Sequence, residues 1–85
     1  MSFQVEGRIH FIGDQIQKGN FSYRECVLEL EDGNYKQYPK FQFAQAKSDQ
    51  LQRFRVGDQV KVSFNLRGRE HQGSYFTTLD GWKIE

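Results

Sequence analysis

The chain of 85 residues contains one cysteine, one proline and one tryptophan, and each scarcity removes a class of protein. A lone Cys26 cannot close an internal disulfide or supply a thiolate metal cluster, and it reads as a small buried hydrophobe in preference to a reactive thiol. Long apolar runs are missing too, so no stretch approaches the roughly 18 apolar residues of a membrane-crossing helix. The opening Met1-Ser2-Phe3-Gln4-Val5-Glu6 has no basic stretch followed by an apolar one, and cytoplasmic residence is the expectation. Catalytic machinery is equally scarce. His10 and His71 have no carboxylate or thiol at a motif spacing, and no glycine-rich phosphate loop opens a helix. Glu25, Glu29 and Glu31 alternate along the chain as a solvated strand face does. We therefore expect no enzyme activity, cofactor, metal, small-molecule substrate or membrane partner.

What the chain does have is aromatic side chains: eight Phe, four Tyr and one Trp in a sequence that is 27% charged. Such polarity suits disorder, but the aromatics and the alternation described below argue for folding. A domain of this length buries only about 60–65% of its unfolded surface, so residues 1–85 are expected to form one domain around a modest core. The net charge of +1 hides an uneven distribution. Residues 1–33 carry three basic and six acidic side chains (3 − 6 = −3), residues 34–69 eight and two (+6), and residues 70–85 one and three (−2). A concentrated basic segment is the footprint of a polyanion partner.

From Phe3 to Phe11 the odd positions read Phe, Val, Gly, Ile, Phe and the even positions are polar, which predicts a strand with one buried face and a bulge or sharp coil at Gly7. Residues 13–20, bounded by Gly13 and Gly19, read as a flexible loop long enough to bind a ligand. A second strand is predicted from Ser22 to Leu30 with Cys26, Leu28 and Leu30 on one face, followed by a turn at Glu31-Asp32-Gly33-Asn34. Tyr35 to Phe43 should pair back on it, with Pro39 at an edge or bulge. Ala44 to Phe54 is the one stretch of helical character, with Leu51 and Phe54 three apart. A fourth strand carries Val60, Val62, Phe64 and Leu66 at even positions, residues 68–74 read as a basic glycine-flanked loop, and Tyr75 to Ile84 returns as a fifth strand. Phe41, Phe43, Phe64 and Phe76 are expected in the core, and Trp82 is expected to close the barrel, with stacking as its alternative.

Three strands, a short helix, then two strands is the order of an all-β, five-stranded OB-fold Greek-key barrel with one short helix between strands 3 and 4. SH3-like barrels are the rival, and they place a short 3₁₀ turn where this chain has its helical segment. In OB barrels the outer face of strands 2 and 3, with the loops joining strands 1–2 and 4–5, forms the oligonucleotide or oligosaccharide groove.

The run Val56-Gly57-Asp58-Gln59-Val60-Lys61-Val62-Ser63-Phe64-Asn65-Leu66-Arg67-Gly68-Arg69-Glu70, with Gly73-Ser74-Tyr75-Phe76 and Leu79-Asp80-Gly81-Trp82-Lys83-Ile84-Glu85, resembles a family of small bacterial and phage domains of largely unassigned function. More distantly it is similar to bacterial single-stranded DNA-binding proteins, whose fourth strand also follows a Gly-Asp turn and leads through an Arg-containing loop into a final strand. Tyr38-Pro39 fits the smaller family too. The resemblance covers most of residues 22–85, most strongly the last thirty. Two features depart from it: His71 stands where the family usually has an aromatic, and the chain ends at Glu85 without the acidic tail that recruits partners in the DNA-binding relatives. The resemblance implies a cytoplasmic chain, host cytoplasm if phage-encoded.

Binding a single strand requires cations that track phosphates and flat side chains on which bases stack. Lys36, Lys40, Lys61, Arg67 and Arg69 supply the first, and Tyr23, Tyr35, Tyr38 and Tyr75 the second, with His71 as a weaker stacking group. Arg67 and Arg69 flank Gly68 and favour phosphate contact over simple solvation. Lys36 and Lys40 stand evenly between the two. Tyr35 and Tyr38 fall on opposite faces by alternation, so at most one stacks unless Pro39 bulges the strand. The expected function is largely sequence-independent binding of single-stranded DNA in replication, recombination or protection. RNA binding and a protein–protein adaptor role are the alternatives, and related proteins imply a homo-oligomer, dimer or tetramer.

Overall fold

A computed structural model of the protein describes residues 2–85. Along the chain run β1 (Ser2–Ile12), β2 (Ile16–Lys18), β3 (Phe21–Asp32), β4 (Tyr35–Gln37), β5 (Lys40–Ala44), a 3₁₀ helix (Gln45–Arg53), β6 (Gln59–His71) and β7 (Ser74–Ile84). Five of the strands close a barrel in the order β1-β6-β7-β5-β3, with β3 returning to β1. Only the β5–β7 pair is parallel among them. This is the OB-fold that the order of elements predicts, and β2 and β4 are short additions, each paired to β3.

Closure depends on β1, which pairs with β6 through Ser2–Arg8 and with β3 from Arg8 onward. At the crossing the backbones come too close for a side chain: a Cβ on Gly7 would lie 2.5 Å from Leu30 Cδ2 and 3.0 Å from the Glu29 carbonyl oxygen. Gly7 is thus a close approach, and the bulge expected there falls at His10 instead, since Ile9 pairs with Leu28 and Phe11 with Val27. The extra residue reverses the alternation. Ile12 packs against the core and Phe11, predicted to face inward, is 52% exposed.

Inside the barrel sit Ile9, Cys26, Leu28, Phe41, Phe43, Val60, Val62 and Ile84, closed off at one end by Leu51 of the helix. Phe43 lies against Gly81, where a Cβ would be 2.6 Å from its ring, so the glycine is what admits so large a side chain. Phe64 is half-buried, edge-on to Phe41 with ring centroids 5.1 Å apart and stacked on Phe3 at 5.7 Å. Each large side chain removed from water contributes about 1.5–3 kcal/mol, so a few aromatics carry much of so small a core.

The helical segment winds as a 3₁₀ helix whose two buried positions, Ser48 and Leu51, are three residues apart, as that winding requires, and Phe54 packs against the core from the extended residue just past its end. The Ser48 hydroxyl donates to the Gln45 carbonyl at 2.7 Å, and the Gln50 amide clasps β7 by donating to the Trp82 carbonyl and accepting from the Ile84 N–H. The predicted third strand is divided at Tyr38-Pro39 into β4 and β5; Pro39 cannot donate to the ladder, but its carbonyl accepts from Leu28 N–H at 3.1 Å.

Both segments read as loops are hairpins. Residues 16–18 pair with Phe21, Ser22 and Tyr23, and Gly13 is held by Glu25 and Arg24 through bonds of 2.8 and 2.9 Å. The basic stretch after Gly68 continues the β6–β7 ladder to His71 and Ser74, leaving a turn of only Gln72-Gly73, both at positive φ (50° and 81°). Nor does Trp82 close the barrel. The register of β6 and β7 skips it, its ring lies outside, and its Nε1 donates to Ser2 Oγ at 3.1 Å.

Candidate functional site

The β2–β3 hairpin and the outer half of the β6–β7 ribbon stand on two sides of the outer sheet face and enclose a groove of about 550 Å³. Phe21 lines it from the first hairpin, Arg67, Gly68, Arg69 and Phe76 from the ribbon, and Gln42, Ala44, Thr78 and Asp80 from β5 and β7. An adjoining cleft shares Gln42 and Thr78 and adds Glu25, Lys40, Thr77 and Leu79. Strand register explains the grouping: Glu25 faces Gln42, Gln42 faces Asp80, Arg67 faces Thr78 and Arg69 faces Phe76. Alternation then points these side chains outward while Cys26, Phe41 and Phe43 point in.

Arg69 lies over the Phe76 ring, its guanidinium carbon 5.5 Å from the centroid, and no carboxylate lies within ion-pair distance of it among the described residues. Arg67 is different: its Nε donates to Asp80 Oδ2 at 2.8 Å. Lys40 pairs with Glu25 at 3.1 Å, Lys36 with Glu29 at 3.8 Å and Lys61 with Glu85 at 3.8 Å. Four of the five nominated cations therefore already have a carboxylate partner. The basic segment of the sequence does not become a bare basic patch, because cross-strand neighbours from the two acidic segments lie against it.

Of the nominated residues, the groove brings together Arg67 and Arg69, and the adjoining cleft adds Lys40. Tyr23 sits beside the groove with its ring 5.8 Å from that of Phe21. The others lie elsewhere. Tyr35 and Lys36 are exposed on β4, and Tyr38 packs against His10 with ring centroids 4.8 Å apart, its hydroxyl donating to Glu29 at 3.3 Å. Tyr75 and His71 stand near the ribbon tip, the Tyr75 hydroxyl donating to Glu70 at 3.2 Å, and Lys61 is on the part of β6 that pairs with β1.

Sequence reasoning missed Phe21 and Phe76. Phe76, expected in the core, is 48% exposed in the groove. The signal was present: Leu79 packs against the core, and a residue three positions away on a regular strand faces the other side. Chemistry elsewhere is quiet. Burial pushes the Cys26 thiol up to about 11, with the nearby Arg24 guanidinium pulling weakly the other way, so it is not a nucleophile at neutral pH. Among the described residues no group of three His, Cys, Asp or Glu side chains could hold a metal ion, and no helix is long and apolar enough to cross a membrane.

Residues 4–85 match a family described as a domain of unknown function, DUF3127. The chain belongs to the DUF3127 family. No curated protein matches this DUF3127 chain in sequence. Among solved structures it is similar to the SSB domain of a Synechococcus protein, with a TM-score of 0.74 at 17% identity over 98% of this chain and 91% of that one. The mitochondrial single-stranded DNA-binding protein Rim1 of S. cerevisiae gives 0.73 at 17% identity, over 100% and 92%. The dimeric N-terminal domain of PriB from Thermoanaerobacter tencongensis gives 0.71 at 15%, over 99% and 92%. At these identities the likeness is one of fold.

Proposed function

We propose that this DUF3127 protein is a non-catalytic binding module that holds single-stranded nucleic acid, DNA in preference to RNA, in the groove between the β2–β3 hairpin and the β6–β7 ribbon. The observation that carries the proposal is the meeting of Phe21, Phe76, Arg67 and Arg69 in one groove on the outer face of an OB barrel. Bases stacked on exposed aromatic rings contribute about 1–3 kcal/mol each and do so with little sequence preference, while guanidinium groups take the phosphates. The Arg69–Phe76 pair offers both surfaces side by side. The yeast protein of the same fold binds single-stranded DNA by name, which favours DNA as the polymer. Coating or protecting single strands in replication or recombination is the role such a site serves, and dimerisation is in keeping with the dimeric PriB neighbour.

Fluorescence anisotropy of labelled single-stranded DNA, matched RNA and duplex DNA, titrated at two salt concentrations, tests the reading. Salt-sensitive binding to the single strand over the duplex is the expected result, with DNA bound more tightly than RNA. Absence of binding to any polymer at low salt would overturn it and favour a protein–protein adaptor, whose affinity has no comparable dependence on counterions.

A further inference from the structure

Three carboxylates lie on the outer sheet face among the residues that would meet a nucleic acid, and their placement is unlike that of the cations. Asp80 and Glu25 sit in one row across β7, β5 and β3, each facing Gln42 between them, and Glu29 lies further along β3. All three are ion-paired, to Arg67, Lys40 and Lys36. In every pair the carboxylate is the more deeply set partner: the acid side chains are 19–27% exposed and the cations 55–65%. Short acids on a sheet stay where the strand holds them, whereas lysine and arginine end in mobile heads on long stems.

We infer that Glu25 and Asp80 are specificity-determining residues that select single strands against duplexes, a reading that rests on the proposed nucleic-acid function of this groove. A phosphate brought down to the floor meets fixed negative charge, and like charges across an interface are costly. A base brought down meets no such penalty. The floor presents Gln42, Ala44 and Thr78 beside Asp80, and continues past Gln42 into the adjoining cleft that holds Glu25, with Phe21 and Phe76 as stacking surfaces; apart from the acids, all of these suit an uncharged heterocycle. The polynucleotide therefore lies with its bases toward the sheet and its phosphates at the rim, where Arg67, Arg69 and Lys40 reach them. A single strand can turn its bases inward. A duplex presents phosphates on its outside and cannot, so the same carboxylates that weaken phosphate contact in general weaken duplex binding most.

The test compares Asp80→Asn, Glu25→Gln and the double variant with the unaltered protein, using anisotropy of a labelled oligothymidylate and a labelled duplex of equal length across a series of salt concentrations. Asp49→Asn, an exposed acid on the helix, is the control for net charge alone. Both amides keep the side-chain shape, and thermal melts establish that each variant is folded. Each floor substitution is expected to raise duplex affinity about ten-fold, and single-strand affinity less, because it removes repulsion acting mainly on phosphates. The slope of log K against log salt should steepen by about 0.7–0.9 per carboxylate removed as one more cation becomes free to neutralise a phosphate. The ratio of single-strand to duplex affinity thus falls in Asp80→Asn and Glu25→Gln and stays unchanged in Asp49→Asn. An unchanged ratio in both floor variants, or a fall as large in Asp49→Asn, would overturn the inference while leaving single-strand binding intact. Failure of the unaltered protein to bind the oligothymidylate would overturn the underlying function as well.

Discussion

The two halves of the β6–β7 hairpin contain similar side chains in opposite circumstances. From Val62 to Asn65, β6 is flanked by both β1 and β7, and Val62 and Ser63 are buried. From Leu66 onward β7 alone accompanies it among the described residues, and every residue from Leu66 to Thr77 is exposed, including Tyr75 and Phe76. Apolar residues continue on both sides of that boundary. What changes is the number of neighbours: the inner half is a wall of a closed barrel, and the outer half is a two-stranded ribbon with no second layer to bury its faces. An aromatic on the inner half contributes to stability, and one on the outer half is available for contact.

Substitution of a phenylalanine in each region gives the sharpest contrast. Phe43→Ala should cost about 3–5 kcal/mol through lost burial and the cavity left beside Gly81, read as a lower urea midpoint. Gly81→Ala approaches the same packing from the other side, and pushing a Cβ toward the Phe43 ring should cost about 1–3 kcal/mol. Phe76→Ala should leave stability within about 0.5 kcal/mol of the unaltered protein while weakening single-strand binding by about 1–3 kcal/mol. If Phe76→Ala unfolded the barrel as Phe43→Ala does, the division between wall and ribbon would be wrong.

The interior also predicts a dependence on pH. Folding raises the Cys26 pKa from 9.0 to about 11, so the folded state holds the proton more tightly than the unfolded chain. Stability from this group is intact below about pH 9 and declines as the pH rises toward 11, with a slope approaching about 1.4 kcal/mol per pH unit. Thermal melts of Cys26→Ala across that window should lack this component. The smallest effects belong to the ribbon's two arginines. Arg69→Ala should weaken binding to single strands of all sequences and make the salt slope shallower by about 0.7. Arg67→Ala, which also frees Asp80 from its partner, should weaken binding further, because an unpaired carboxylate is left on the groove floor.

Most of the barrel was legible in the sequence because alternation, the Asp-Gly turn and the order of elements each carry a local physical signature. Phe41, Phe43, Val60, Val62, Cys26 and Leu28 are buried as their periodicity predicts. Errors arose where a single residue breaks the period: the bulge at His10 turns Phe11 outward, and the skipped Trp82 lies outside the barrel it was expected to close. Length of a ladder was illegible for another reason. Residues 68–71 look like a loop by composition, yet backbone pairing with residues 74–77 needs only extended geometry and a two-residue turn. The candidate groove was half legible. Arg67 and Arg69, nominated by chemical type, do line it, but charge counted along the chain cannot see that Glu25, Glu29 and Asp80, from other strands, lie against the cations.

Backbone amide chemical-shift mapping of the labelled protein, titrated with an oligothymidylate, locates the binding surface residue by residue. The largest shifts are expected at Phe21, Gln42, Ala44, Gly68, Arg69, Phe76 and Thr78, with residues 45–53 of the helix unmoved. Shifts centred on the helix or on β4, with the groove silent, would contradict the proposed site.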